Sequence, residues 1–401
     1  MLPKVLHKTA LIILLALTGA ACAPTPTPHL SATLAASPVP SATPPTTIPT
    51  ITPSPTQPLL YLSATVWQSD PVAPILLYHR FKTNRPSTLN LVSRLDFQEE
   101  MEKLYASDYV TVSLERWLAG DLRVPAGKRP LVLSMDDLFY RNQITLTPEG
   151  IPSEQTGLGV AWKFSQEHPG FGFHWALFAN LGDKPYGEGT PAEQENQLAN
   201  VIVWCIENDA MVYNHTFHHA MLSQTDGPGV TAELKWNDDH LRELLTRVNR
   251  EDLIPKLGNL FAIPYGKWPR SEEAMTALYD YSNPEGLPLQ GVFDVDYIIR
   301  PKFMAAPYSN SFDKWKLPRM VANLAAVDYL AENKDTIPAA QTCKIGPLDG
   351  TQVNNSNYMG EQIHAMIQNG QCPEGIYAME NFIFRADAAH FELIQEVTKI
   401  Q

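Results

Sequence analysis

The stretch that most constrains this chain is Leu131-Val132-Leu133-Ser134-Met135-Asp136-Asp137, an apolar run of strand character that stops on two adjacent carboxylates. Residues of a regular strand alternate faces, so neighbouring aspartates would point apart; at a strand's carboxyl end, where the chain turns, both can reach one cleft. A second apolar run, Met211-Val212-Tyr213, leads into Asn214-His215-Thr216-Phe217-His218-His219, whose outer imidazoles are four residues apart. Asp137 with His215 and His219 makes a three-ligand set with a position left open, as a catalytic divalent metal needs, and leaves Asp136 as a base. Each signal alone has a plainer meaning. Adjacent aspartates also make solvated turns and helix caps, and a His-x-x-x-His spacing also arises from packed core histidines. Their order, each after a buried-strand pattern, carries the reading.

The amino-terminal part cannot belong to that core. Lys4, His7 and Lys8 precede the apolar run Ala10 to Leu17 and the small residues Gly19-Ala20-Ala21 before Cys22. This is the pattern of an export signal, too short for a comfortable membrane span. Small residues directly before Cys22 resemble a bacterial lipoprotein signal, with Cys22 as the lipidated residue and residues 1–22 as the signal; Gly19 stands where such signals usually carry Leu, and ordinary cleavage is the alternative. Residues 23–58 are almost all Pro, Thr, Ser and Ala, a composition that buries no core and predicts a disordered linker. A formal net charge of −13 argues against a nucleic-acid partner and against a basic membrane-binding face. The expected membrane association is through a lipid anchor only, with the protein exported and either membrane-anchored or extracellular. Of the remaining cysteines, Cys343 and Cys372 share a loop-rich region and are the candidates for a disulfide, while Cys205 reads as a buried free thiol.

After the linker, strand signals alternate with helical ones, which predicts an α/β domain on parallel strands. Pro74 to His79 is an apolar run ending in a histidine. A helix is expected from Asp96, with Asp96 as its cap, and another over residues 237–249. Residues 138–170 read as an irregular excursion over the site, a lid or substrate wall. Leu260 to Gly266 reads as a strand ending in a Pro-Tyr-Gly turn. Towards the end a helix is expected over residues 360–367 and another over residues 386–397.

Together these residues resemble the NodB-homology polysaccharide deacetylases of carbohydrate esterase family 4. Ser134-Met135-Asp136-Asp137 matches the family's Thr-Phe-Asp-Asp motif, which supplies a base and then a metal ligand, and His215-Thr216-Phe217-His218-His219 matches its His-Ser/Thr-x-x-His motif. The Arg-x-Pro-aromatic-Gly motif is met in part by Ala262-Ile263-Pro264-Tyr265-Gly266, with Ala262 in place of the arginine that steadies the base, and Leu138 replaces the usual glycine after the aspartates. The circularly permuted branch acting on poly-N-acetylglucosamine is the most similar, since its acid histidine comes first on a Tyr-His strand end, as Tyr78-His79 does, and it uses Pro-Tyr-Gly and Leu-Pro-Arg segments like Pro264-Tyr265-Gly266 and Leu317-Pro318-Arg319.

The resemblance implies an irregular (β/α) barrel of seven strands over residues 59–333, with the site at the strands' carboxyl ends and residues 334–401 as an extension of unknown role. It implies removal of N-acetyl groups from an extracellular or cell-wall polysaccharide such as poly-N-acetylglucosamine, chitin or peptidoglycan. The roles implied are Asp136 as base and His79 as acid, with Asp137, His215 and His219 as metal ligands. Pro264, Tyr265, Trp315 and Arg319 are the implied substrate contacts. Zinc is the first choice of metal, with nickel, cobalt or iron as alternatives. Two other readings stand beside it: a carbohydrate-binding lipoprotein without catalysis on the same fold, and a metal-dependent amidase acting on a small molecule.

Overall fold

The computed structural model describes residues 60–183, 185–295, 301–348, 350 and 352–398. The export signal, Cys22 and the linker therefore lie outside the described residues.

An eight-stranded parallel sheet forms the main body. Its path runs Gly291–Phe293, Leu260–Ala262, Ala210–Asn214, Trp175–Ala179, Arg129–Leu138, Ile75–Tyr78 and Met320–Val321, and Tyr109–Thr111 pairs off this path with Arg129–Leu138. A parallel bridge from Phe293 to Leu317, just ahead of Met320–Val321, joins the two ends of the path. With helices packed outside, this is the expected irregular (β/α) barrel, seven strands around and one short strand appended.

Strand alternation decides which residues face the interior. Ile75, Val132, Ala176, Phe178, Tyr213, Leu260 and Phe293 share one apolar cluster, while Leu76, Leu133, Met135, Leu177 and Val212 pack outward with the helices. Extending the inward parity to the strands' carboxyl ends reaches His79, Asp136 and His215, so period-two geometry alone sends these three to one mouth.

Several elements differ from the sequence expectation. The first helix is Arg94–Ala106, capped by Ser93, whose side chain accepts from the Leu95 and Asp96 amides; Asp96 sits in the first turn. The helix expected from residue 237 is Gly227–Arg247, begun by the Asp226 cap and Pro228. Within the supposed excursion lies a helix, Gly157–Glu167, capped by Thr156. Two glycines in its first turn mask the helical pattern: Gly157 lies where a Cβ would meet the Phe81 ring. The carboxyl-terminal helix expected over residues 386–397 is instead the strands Phe382–Ala386 and Phe391–Glu396, paired antiparallel. Phe382, Phe384 and Ala386 join one apolar cluster while Ile383 between them joins another, a period-two pattern.

Those strands belong to a separate five-stranded antiparallel sheet in which Leu60–Trp67 lies between Gln341–Leu348 and Gly375–Ala378. Helix Ser356–Gln368 covers one face through Met359 and Ile363. The other face presents Trp67, Ile376 and Ile383 to the barrel's interior cluster. Cys343 and Cys372 are disulfide-bonded within this layer, with Cα atoms 5.6 Å apart, and Cys205 is free and buried. The described residues from 60 onward form one compact unit, so the strand before the barrel and the chain beyond residue 334 are built together. No helix among the described residues is long and apolar enough to cross a membrane.

Candidate active site

Asp136 reaches the mouth by strand parity; Asp137 does so by breaking the strand. Between Met135 and Leu138 the register against Trp175–Ala179 slips, and Asp137 takes a left-handed backbone, φ 59°. Thr216, His219 and Tyr265 are left-handed too, at φ 62°, 54° and 58°. Non-glycine residues adopt this region at an energetic cost, and its clustering at one mouth is the pattern of a functional site.

The three expected metal ligands come together. One ligand atom from each of Asp137, His215 and His219 lies within 4.8 Å of the others, with His219 Nε2 3.1 Å and His215 Nε2 3.6 Å from Asp137 Oδ1. His215 Nδ1 is 2.8 Å from the Ala262 carbonyl oxygen, a hydrogen bond that places the proton on Nδ1 and leaves Nε2 as the donor atom facing the cluster. One carboxylate and two imidazoles, their free nitrogens converging, fit zinc or another borderline divalent ion. The loop is held from behind: the Thr216 amide donates to Asn214 Oδ1 and the Ala220 amide to Thr216 Oγ1, both at 2.9 Å. His218 turns the other way, onto Glu233 at 2.9 Å.

Arg319 corrects the expectation. It was expected to touch substrate, yet it is fully buried, and its guanidinium grips Asp136 through two parallel hydrogen bonds of 2.6 and 2.8 Å. Its Nε donates to the Asp294 carbonyl, and its plane lies over Phe178 and Phe293. With both amino groups on Asp136 and Nε on a backbone carbonyl, Arg319 makes in space the contact to Asp136 that position 262, an alanine, does not. Burial pushes the Asp136 carboxyl up, but the Arg319 charge, helped by His215, more than offsets this and holds it below its ordinary value. For Asp137, burial is likewise overcome by the His215 and His219 imidazoles beside it, and the carboxyl lies far below its ordinary value.

His79 stands at the same mouth. Burial lowers its pKa, the Asp136 and Asp137 carboxylates oppose that shift, and Arg319 and His215 add to it. Its Nδ1 is buried without a protein partner. Sequence reasoning missed Gln143. This fully buried side chain of the excursion donates from Nε2 to the His79 carbonyl at 2.7 Å and to the Asp136 carbonyl at 3.0 Å, while its Oε1 accepts from the Tyr140 amide. It ties the two strand ends that carry the proposed acid and base; a lone polar residue in a polar stretch gives no signal of that.

Of the other expected substrate contacts, Tyr265 is half exposed with its ring centroid 4.3 Å from that of His219, and Pro264 is buried at the start of its turn. Trp315 is not brought to the metal ligands by any ring contact. It packs on Tyr279 of the helix Glu272–Tyr279 at 4.5 Å, with the Lys314 ammonium 4.3 Å from its ring centre, so its faces serve the protein's own packing.

No family model and no curated protein matches the chain. It is similar to several solved structures. One is the Streptococcus pyogenes deacetylase PplD in complex with acetate, at 16% identity and TM-score 0.42, covering 67% of this chain and 99% of that one. A polysaccharide deacetylase from Bacillus cereus is similar at 16% identity and TM-score 0.44, covering 66% and 69%. IcaB from Ammonifex degensii is similar at 17% identity and TM-score 0.41, covering 66% and 97%.

Proposed function

We propose that this chain is a metal-dependent polysaccharide deacetylase of the NodB type, releasing acetate from N-acetylated sugars of an extracellular polymer. The observation that carries the reading is the meeting of Asp137, His215 and His219 within 4.8 Å beside a buried Asp136 clamped by Arg319. A pure binder has no need of an ionised, unliganded carboxylate next to three ligands.

A divalent metal held by Asp137, His215 and His219 supplies Lewis acidity, polarising an acyl carbonyl and acidifying water. Asp136, kept ionised by Arg319, accepts the proton of the attacking water as its oxygen bonds to the acetyl carbon. The Tyr265 backbone amide is the proposed donor to the developing oxyanion. His79 gives a proton to the amine as the C–N bond breaks, a role in which the Asp136 and Asp137 carboxylates work against the burial that lowers its pKa. Acetate and a free amine leave. Each proton transfer is typically worth about 10²–10⁴ in rate. Zinc is the metal proposed first, and export with anchoring at Cys22 completes the reading.

Metal analysis of the purified protein, followed by acetate release from N-acetylglucosamine oligomers before and after chelation, tests it. Stoichiometric metal and chelator-sensitive release are expected. Bound metal without acetate from any acetylated glycan would overturn the deacetylase reading, and turnover of small amides alone would replace it with an amidase.

A further inference from the structure

Among the described residues, the aromatic side chains most open to solvent are Tyr61, Trp236 and Tyr265. Two of these three touch the loop that carries the metal ligands: Tyr265 at His219, and Trp236 at Phe217 and His218. Tyr265 follows from the turn beside the ligands, but nothing in the reaction described above uses Trp236.

Trp236 is half exposed on the helix Gly227–Arg247. An indole left in water costs hydrophobic free energy, and here the surrounding contacts hold it in place. Its ring centroid is 5.9 Å from that of His218 at 83° and 6.4 Å from that of Phe217 at 67°, both edge-to-face. The helix beneath is fastened to the ligand loop just before Trp236 and to the chain at Leu181 just after it. The Glu233 carbonyl accepts from the Phe217 amide at 3.1 Å and its carboxylate from the His218 amide at 2.8 Å. The Leu234 carbonyl accepts from the Asn214 side chain, and the buried Asn237 accepts from the Leu181 amide. The indole therefore keeps a fixed position relative to His215 and His219 without touching the reacting atoms. Apart from Phe217, the groups around it are polar: Lys235 and Asp239 pair with each other on the exposed surface, His218 stands beside it, and His240, one helical turn on, packs against Phe217. A single aromatic face in polar surroundings is too small an apolar patch for a protein partner. It suits a pyranose ring, which offers C–H bonds on its face and hydroxyls at its rim.

We propose that Trp236 is a remote sugar subsite, stacking on a residue of the polymer other than the one being deacetylated, so that the enzyme prefers oligomers to single sugars. This rests on the deacetylase reading and assigns Trp236 to a sugar of the polymer away from the reacting one. The test compares wild type, Trp236→Ala and Trp236→Phe on N-acetylglucosamine and its longer oligomers. The ratio of kcat/KM on oligomer to that on monomer is expected to fall about three- to tenfold in Trp236→Ala, through KM, with Trp236→Phe keeping part of it. An unchanged ratio overturns the subsite and leaves the deacetylase intact. If wild type releases no acetate from any glycan, calorimetric titration of the same full-length proteins with the oligomers decides separately: weaker binding in Trp236→Ala supports the subsite, and equal binding overturns it.

Discussion

Two buried carboxyls stand on either side of the Ile75–Tyr78 strand end and meet opposite fates. Asp136, at the mouth with His79, is 2% exposed and ionised because a buried arginine holds both of its oxygens. Glu100, under Tyr78 on the helix side, is fully buried; it accepts one hydrogen bond from the Tyr78 hydroxyl, its other oxygen has no partner, and burial pushes it up to about 8. Desolvation acts on both in the same direction, and the presence of a guanidinium decides which becomes a base and which keeps its proton. Whether a buried carboxyl in this fold is ionised is thus set by its partner more than by its own position.

Removing that partner is the strongest way to break the contrast. Arg319→Met should leave Asp136 buried and uncompensated, costing about 3–5 kcal/mol of stability. Denaturant unfolding checks it, and the loss should shrink when Asp136→Asn is added, because the two changes are coupled. Equal losses in both backgrounds would mean the pair does not act as one unit. Asp136→Asn alone should keep bound metal, since the proposed ligands are Asp137, His215 and His219, while acetate release falls by about 10²–10⁴; metal content and turnover on one preparation separate the two effects.

Gln143→Leu should have a smaller effect. It takes a donor from the His79 and Asp136 carbonyls, for which about 1–3 kcal/mol is expected in stability, with kcat lowered more than KM and metal retained. Full kcat would show that the strand ends hold their geometry unaided. The mildest change is Glu100→Gln. In the folded chain Glu100 holds its proton up to about 8, whereas the unfolded chain releases it near 4.5. Between those values the folded state binds more protons, so this group's contribution is complete below the lower value and is lost as pH rises through the upper one. Glu100→Gln should therefore raise Tm relative to wild type by about 2–4 °C at alkaline pH and less at acid pH. Thermal scans at both pH values check this, and a pH-independent difference would remove Glu100 as the titrating group.

How much of this could be seen in the sequence follows from how far each contact reaches along the chain. Asp136 and His215 were legible because each ends a buried run and strand parity aims it, and Asp137 and His219 follow them closely in the chain, though a left-handed backbone rather than parity brings them to the mouth. The role of Arg319 was not: Ala262 looked like a loss, and only barrel closure brings an arginine from elsewhere in the chain onto Asp136. Gln143 was hidden because its bonds go to backbone atoms of other strands, which no side-chain pattern records. The last strands were misjudged as a helix because their apolar residues suit either period over so short a span, and the sheet that selects one includes Leu60–Trp67.

That first strand also sets the order of assembly. Thr65 and Val66 pair with Ala378 and Tyr377 on one side, and with Thr342 and Gln341 on the other. A polypeptide synthesised from its amino terminus carries this segment as an orphan until almost the whole length has emerged, so the molecule is sealed last by its oldest strand. A chain cut short after the barrel would leave that strand's two edges bare and sticky, which makes premature termination a route to aggregation rather than to a smaller working enzyme.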